Sequence, residues 1–155
     1  MADTIRIWVE TSHHAAFRCG GWAFVRKDAE GLGGAAGGDR SVAAERATLA
    51  GLAEALKGLP AGGAVEVYTS NPQIVALPGR ILGFTAGEDP PTENLDLWAQ
   101  LTTALKSVRI GRAENRPGTP AAFASAWAEL ARDKAKATGP FRSPIPKPNL
   151  AKAGA

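Results

Sequence analysis

The sequence predicts a single α/β domain of mixed α+β character, with a central mixed sheet of about five strands flanked by helices. Three observations point there. Two strand-like segments follow one another near the start, as in a hairpin: Ile5, Ile7 and Val9 alternate with Arg6, Trp8 and Glu10, and Gly21 to Arg26 reads Gly-Trp-Ala-Phe-Val-Arg. From Val42 onward the apolar spacing turns helical, and helix and strand signals then alternate. At 155 residues, with 45% hydrophobic and 21% charged side chains, the chain can bury one core.

Each element has its own signal. Thr11 to Cys19, with His13 and His14, reads as a loop between the first two strands. Residues 28–39 are rich in Gly and poor in large apolar side chains, so a loop or a weak edge strand is expected. Ser41 is a plausible N-cap for a helix carrying Leu49, Leu52, Ala53 and Leu56, which Gly58 and Pro60 stop. Ala64 to Thr69 is a third clear strand. Asn71 followed by Pro72 reads as a cap and first helical residue, opening a short helix to Leu77. Residues 78–92 read as a connector, and Thr92 or Asn94 caps a helix with Leu97, Trp98, Leu101 and Leu105 on one face. Ser107 to Gly111 is a short strand. Thr119 and Pro120 open a last helix whose inner face carries Phe123, Trp127, Leu130 and Ala131. No internal repeat is found.

The net charge of +3 has a local origin. Thr138 to Ala155 holds Arg142, Lys147 and Lys152 and no acid, so residues 1–137 are neutral overall. A strongly basic nucleic-acid groove is therefore not guaranteed by composition. The tail also holds Pro140, Pro144, Pro146 and Pro148, which predicts an extended, mobile segment after residue 137. Such a segment can dock on a protein partner as an extended ligand or serve as a solubilising end. The single Cys19 excludes a disulfide framework. No apolar run is long enough for a membrane span, and the start shows no secretory signal. The expected setting is cytoplasmic.

The order of elements resembles type 1 members of the ribonuclease H family, and so do several residue patterns. Ile7-Trp8-Val9-Glu10-Thr11-Ser12 is similar to the family's strand ending in Asp-Gly-Ser. Gly20 to Val25 looks like its second strand, and Ala44-Glu45-Arg46-Ala47 resembles the helix with the second acid. Val67-Tyr68-Thr69-Ser70-Asn71 resembles the strand end with the third, Asn94 to Trp98 an Asn-x-Asp-Leu-Trp helix, and Ala128-Glu129-Leu130-Ala131 the last helix. The matches run in the family's order from Ile5 to about Ala137. The resemblance implies a ribonuclease H-like domain over residues 1–137 and a basic, Pro-rich flexible tail over 138–155.

The family's reaction is two-metal hydrolysis of RNA in RNA–DNA hybrids, which needs carboxylates gathered around two divalent ions. Carried over, the four positions are Glu10, Glu45, Asn71 and Ala128. Two of the four are not acids, and Glu10 stands where the family has Asp. Two unit charges a few Å apart interact at roughly 4 kcal/mol at an effective dielectric of about 20. Losing two acids therefore predicts much weaker Mg²⁺ binding. Glu129 and Asp133 lie elsewhere around the helix, and residues 111–120 lack the His that the family's loop usually carries.

Glu10 and Glu45 then read either as a weak residual metal site or as two acids left at a sheet end. Asn71 reads as a neutral ligand or simply as the cap before Pro72. His13 and His14 are adjacent, an arrangement that suits a solvated loop better than one metal ion. Lys106, Arg109, Arg112 and Arg116 form a candidate nucleic-acid-binding strip, or guard charges on an edge strand. Trp22 and Trp98 are expected in the core. Trp8 shares a strand face with Arg6 and Glu10, where packing under a helix is expected over base stacking.

The resemblance thus implies a catalytically reduced relative that binds nucleic acid or a protein partner and needs no cofactor. The alternative is a metal-dependent ribonuclease H using Glu10, Glu45 and Asn71 with Mg²⁺ or Mn²⁺. A third class is a protein-interaction module that docks through the tail.

Overall fold

The computed structural model describes residues 4–60 and 63–155. The first three residues, part of the segment read for a secretory signal, lie outside the described residues. The strands are β1 (Ile5–His14), β2 (Cys19–Asp28), β3 (Gly31–Arg40), β4 (Val65–Thr69), β5 (Val108–Arg112) and β6 (Phe141–Pro144). The helices are α1 (Ala44–Ala55), α2 (Pro72–Val75), α3 (Leu77–Thr85), α4 (Leu95–Ala104), α5 (Pro120–Thr138) and α6 (Lys147–Leu150). A 3₁₀ turn at Leu105–Ser107 leads into β5.

The six strands form one sheet in the order β5-β4-β1-β2-β3-β6. Along β1, β2, β3 and β6 each strand is antiparallel to its neighbour, while β1, β4 and β5 run parallel. Period-2 alternation divides the side chains between two faces. Ile5, Ile7, Val9, Trp22, Phe24, Val65 and Val67 join Leu49, Leu52, Ile74, Leu77 and Leu101 of the helices in one core. Ala23, Val25 and Ala36 meet Ala128, Ala131, Ile145, Leu150 and Ala153 in a second core on the opposite face.

The second core depends on small residues. The buried stripe of α5 is Ala121, Ala124, Ala128, Ala131 and Ala135; of the expected Phe123, Trp127, Leu130 and Ala131 it contains only Ala131. Phe123 and Trp127 are partly buried at the margin, and Leu130 is 64% exposed. The reason lies across the seam. A Cβ on Gly21 would stand 2.2 Å from the Ala128 carbonyl oxygen and 2.3 Å from the Arg132 nitrogen. Helix backbone and strand backbone touch there, which leaves no room for a Leu.

Four further differences have physical causes. Residues 31–40 form a full strand rather than a loop, because β2 and β6 pair with it on both sides. The tail is not an extended, mobile end. Its β6 adds the sixth strand, Ile145 and Leu150 are each 3% exposed in the second core, and Arg142 pairs with Glu54 of α1 at 2.9 Å. Lys57 and Arg142 hold the Glu54 carboxyl below the usual carboxylate range although burial alone would raise it. Part of the expected connector at 78–92 is α3, with Leu77 buried and Ile81 and Phe84 against the core. Ser41 is not the N-cap of α1; that position is Ala43, without a side-chain bond, and Ser41 has φ 56°.

Other expectations hold. Thr119 Oγ1 accepts from the Ala122 amide at the start of α5. Trp22 and Trp98 are buried, at 7% and 3% exposure. Cys19 is a free, buried thiol. No helix among the described residues is long and apolar enough to cross a membrane.

Candidate functional site

Parallel pairing of β1 with β4 brings Glu10 beside the end of β4, where Thr69, Ser70 and Asn71 follow one another. Glu10 is buried, at 3% exposure. Its carboxylate accepts from the Ser70 amide at 2.7 Å, the Ser70 hydroxyl at 2.5 Å and the Thr69 hydroxyl at 3.3 Å. Burial pushes the Glu10 carboxyl above the usual carboxylate range, and these hydrogen bonds offset the effect only in part.

Glu45, in the first turn of α1, is held differently. Its carboxylate is 3.0 Å from the Arg80 guanidinium of α3. Arg80 is itself fixed, 4.6 Å over the Trp98 ring and 5.7 Å from the Phe84 ring. A pocket of about 250 Å³ beside this pair is lined by Glu45, Thr48, Leu49, Gln73, Leu77 and Arg80.

Both ends of the Asn71 side chain are used. Oδ1 accepts from the Gln73 amide at 2.9 Å, the N-cap bond of α2, and Nδ2 donates to Thr11 Oγ1 at 2.9 Å. Ala128 is fully buried against β2. Its neighbours give no substitute, since Glu129 is exposed and Asp133 pairs with Arg132. Arg132 also donates to Ser12 Oγ at 2.9 Å. Among the described residues, no three His, Cys, Asp or Glu side chains are grouped to hold a metal ion. His13 Nε2 donates to the Val42 carbonyl at 2.7 Å, and His14 packs on Phe17, so the pair ends β1 rather than forming a loop.

The basic side chains do not form one row. Lys106 sits in the 3₁₀ turn, and Arg116 in the following loop pairs with Glu114. Arg109 and Arg112 point to opposite faces of β5, by strand alternation. The register places Arg109 beside Glu66 and Glu66 beside Arg6. The next row is Trp8, Tyr68 and Gly111. Trp8 is only partly buried and stacks on Tyr68, centroids 5.8 Å apart. The long α5 packs over β1, β2 and β3.

Three elements of the site escape sequence reasoning. Ser70 is an ordinary hydroxyl until β4 pairs with β1. Arg80 lies in a helix weakened by Pro78, Gly79 and Gly83. The Ser12–Arg132 contact joins residues 120 positions apart.

Comparison with solved structures identifies the architecture. LC9-RNase H1, described as a type 1 RNase H with the type 2 active-site motif, matches all of this chain and 82% of its own, with a TM-score of 0.69 at 15% identity. The N-terminal RNase H domain of rv2228c from Mycobacterium tuberculosis, solved as a fusion with maltose binding protein, matches 88% of this chain and 99% of that one, with a TM-score of 0.68 at 15% identity. LC11-RNase H1, solved in complex with RNA/DNA hybrid, matches 84% of this chain and 98% of its own, with a TM-score of 0.64 at 17% identity. No family model matches the sequence, and no curated protein matches it. The fold is ribonuclease H-like, a mixed six-stranded sheet with flanking helices.

Proposed function

We propose that this chain is a noncatalytic ribonuclease H-like protein that binds an RNA–DNA hybrid, or a related nucleic acid, without cleaving it. The observation that carries this reading is the state of Glu10. Its carboxylate is buried and accepts from three donors, so most of its acceptor capacity is committed inside the protein.

The fold family implies a pair of divalent ions, and the residues present do not fit them. Two-metal chemistry needs several carboxylates with free oxygens around ions roughly 4 Å apart. Glu45 is paired with Arg80, the Asn71 oxygen is spent on the α2 cap, and Ala128 has no ligand atom. Nucleic-acid binding is supported by the fold shared with LC11-RNase H1, which was solved on a hybrid. The exposed cations Lys106 and Arg112 supply phosphate partners.

The test is a labelled RNA–DNA hybrid incubated with the protein in millimolar Mg²⁺ or Mn²⁺. The reading expects binding that weakens steeply with salt and an RNA strand that stays intact. Metal-dependent cleavage abolished by Glu45→Ala would establish the metal-dependent ribonuclease instead. Absence of hybrid binding at low salt would also overturn the reading.

A further inference from the structure

We propose that the open face of β1, β4 and β5 is a second, separate binding site, a platform for unpaired bases of single-stranded nucleic acid. The argument begins with what covers the sheet. One face is closed by α1 to α4 through the larger core. On the other, α5 seals Ala23, Val25 and Ala36. Trp8 and Tyr68, on that same face, are only partly buried, and Arg6 and Arg109 are exposed.

The arrangement suits a base and its phosphates. Trp8 and Tyr68 lie in adjacent strands with ring planes 27° apart. The Tyr68 ring leans over Gly111, where a Cβ would stand 3.5 Å from two ring carbons. Gly111 itself carries no side chain to stand beside the ring, and a Cβ there would make ordinary van der Waals contact. Tyr68 is anchored by its hydroxyl, which donates to Glu66 at 2.9 Å. One row along lie Arg6, Glu66 and Arg109. Glu66 meets Arg6 at 3.5 Å, and Arg109 has no ion-pair partner among the described residues.

Aromatic surface beside an excess of cations is the composition that single strands select. Every unpaired base offers a π face to stack, and the backbone offers phosphates to the arginines. A duplex keeps its bases in the stack and cannot use the rings.

The test uses a fluorescein-labelled oligo-dT or oligo-U strand of about 15 nucleotides, within the range of known single-strand sites. Anisotropy and Trp quenching are followed against salt. The wild-type chain is expected to bind with a salt slope reporting one or two phosphates, about −0.7 for each. Trp8→Ala with Tyr68→Ala should weaken binding about tenfold or more. Arg109→Gln, at an exposed position, should weaken it severalfold and leave thermal unfolding unchanged, which covers a failure of the aromatic variant to fold. An excess of blunt hybrid duplex should not displace the strand. No binding by the wild type, or equal binding by both variants, would overturn the proposal. So would full displacement by hybrid, or a face that instead self-associates in light scattering. Because strand and hybrid are measured separately, either site can fail while the other stands.

Discussion

Replacing Glu10 by Gln should stabilise the protein at neutral pH. The side chain is 3% exposed and its carboxyl is held above the usual range, chiefly by burial. The folded state therefore binds the Glu10 proton more tightly than the unfolded chain does. The stability this contributes is complete below the unfolded value, about 4.3, and is lost as pH rises through the higher folded value. Gln keeps a carbonyl oxygen for the Ser70 amide and offers a donor to the Ser70 hydroxyl, but cannot ionise. The gain is of the order of 1 kcal/mol at neutral pH, or roughly 2–4 °C in Tm for a domain of this size. Thermal unfolding by circular dichroism between about pH 4 and pH 8 measures it. The two proteins should converge at the acid end, and millimolar Mg²⁺ should shift neither. A variant less stable at neutral pH, or a wild type that Mg²⁺ stabilises through Glu10, would refute the reasoning.

Three other outcomes follow from the same geometry. Gly21→Ala forces a Cβ against backbone atoms of α5 at 2.2 and 2.3 Å, so it should cost at least about 3 kcal/mol, read as a large drop in Tm. Deleting residues 141–155 uncovers the β3 edge and removes Ile145 and Leu150 from the core; at about 2 kcal/mol for each aliphatic side chain it should cost some 4 kcal/mol and promote aggregation in size-exclusion chromatography. Asn71→Ala should cost about 1 kcal/mol by loss of the α2 cap, whereas Asn71→Asp should keep most of that stability and gain no Mg²⁺-dependent shift in unfolding.

Local chemistry made much of the fold readable. Alternation revealed β1, β2 and β4, and the pairs Asn71-Pro72 and Thr119-Pro120 marked two helix starts that the structure reproduces. What stayed hidden depends on distant partners. The glycines of β3 look like a loop because their purpose, close approach, belongs to the elements beside them. The prolines of the tail suggest disorder until β3 offers an edge for Phe141 to Pro144. Hydrophobic size is a poor guide to the stripe of α5, because the seam admits only Ala. At the site, the identities of Glu10, Glu45, Asn71 and Ala128 were plain, but their partners Ser70 and Arg80 came from the tertiary arrangement. Lys106, Arg109, Arg112 and Arg116 are consecutive in sequence order, yet strand alternation and the Glu114 pair disperse them.

The central claim is that the side chains at the four carried-over positions are engaged within the protein and leave no cage for paired ions. Calorimetric titration with Mn²⁺ measures this without a substrate. The account predicts no saturable uptake of two ions per chain in the millimolar range, with the same flat trace for Glu10→Gln. Two ions per chain in the wild type, lost in Glu10→Gln, would contradict it.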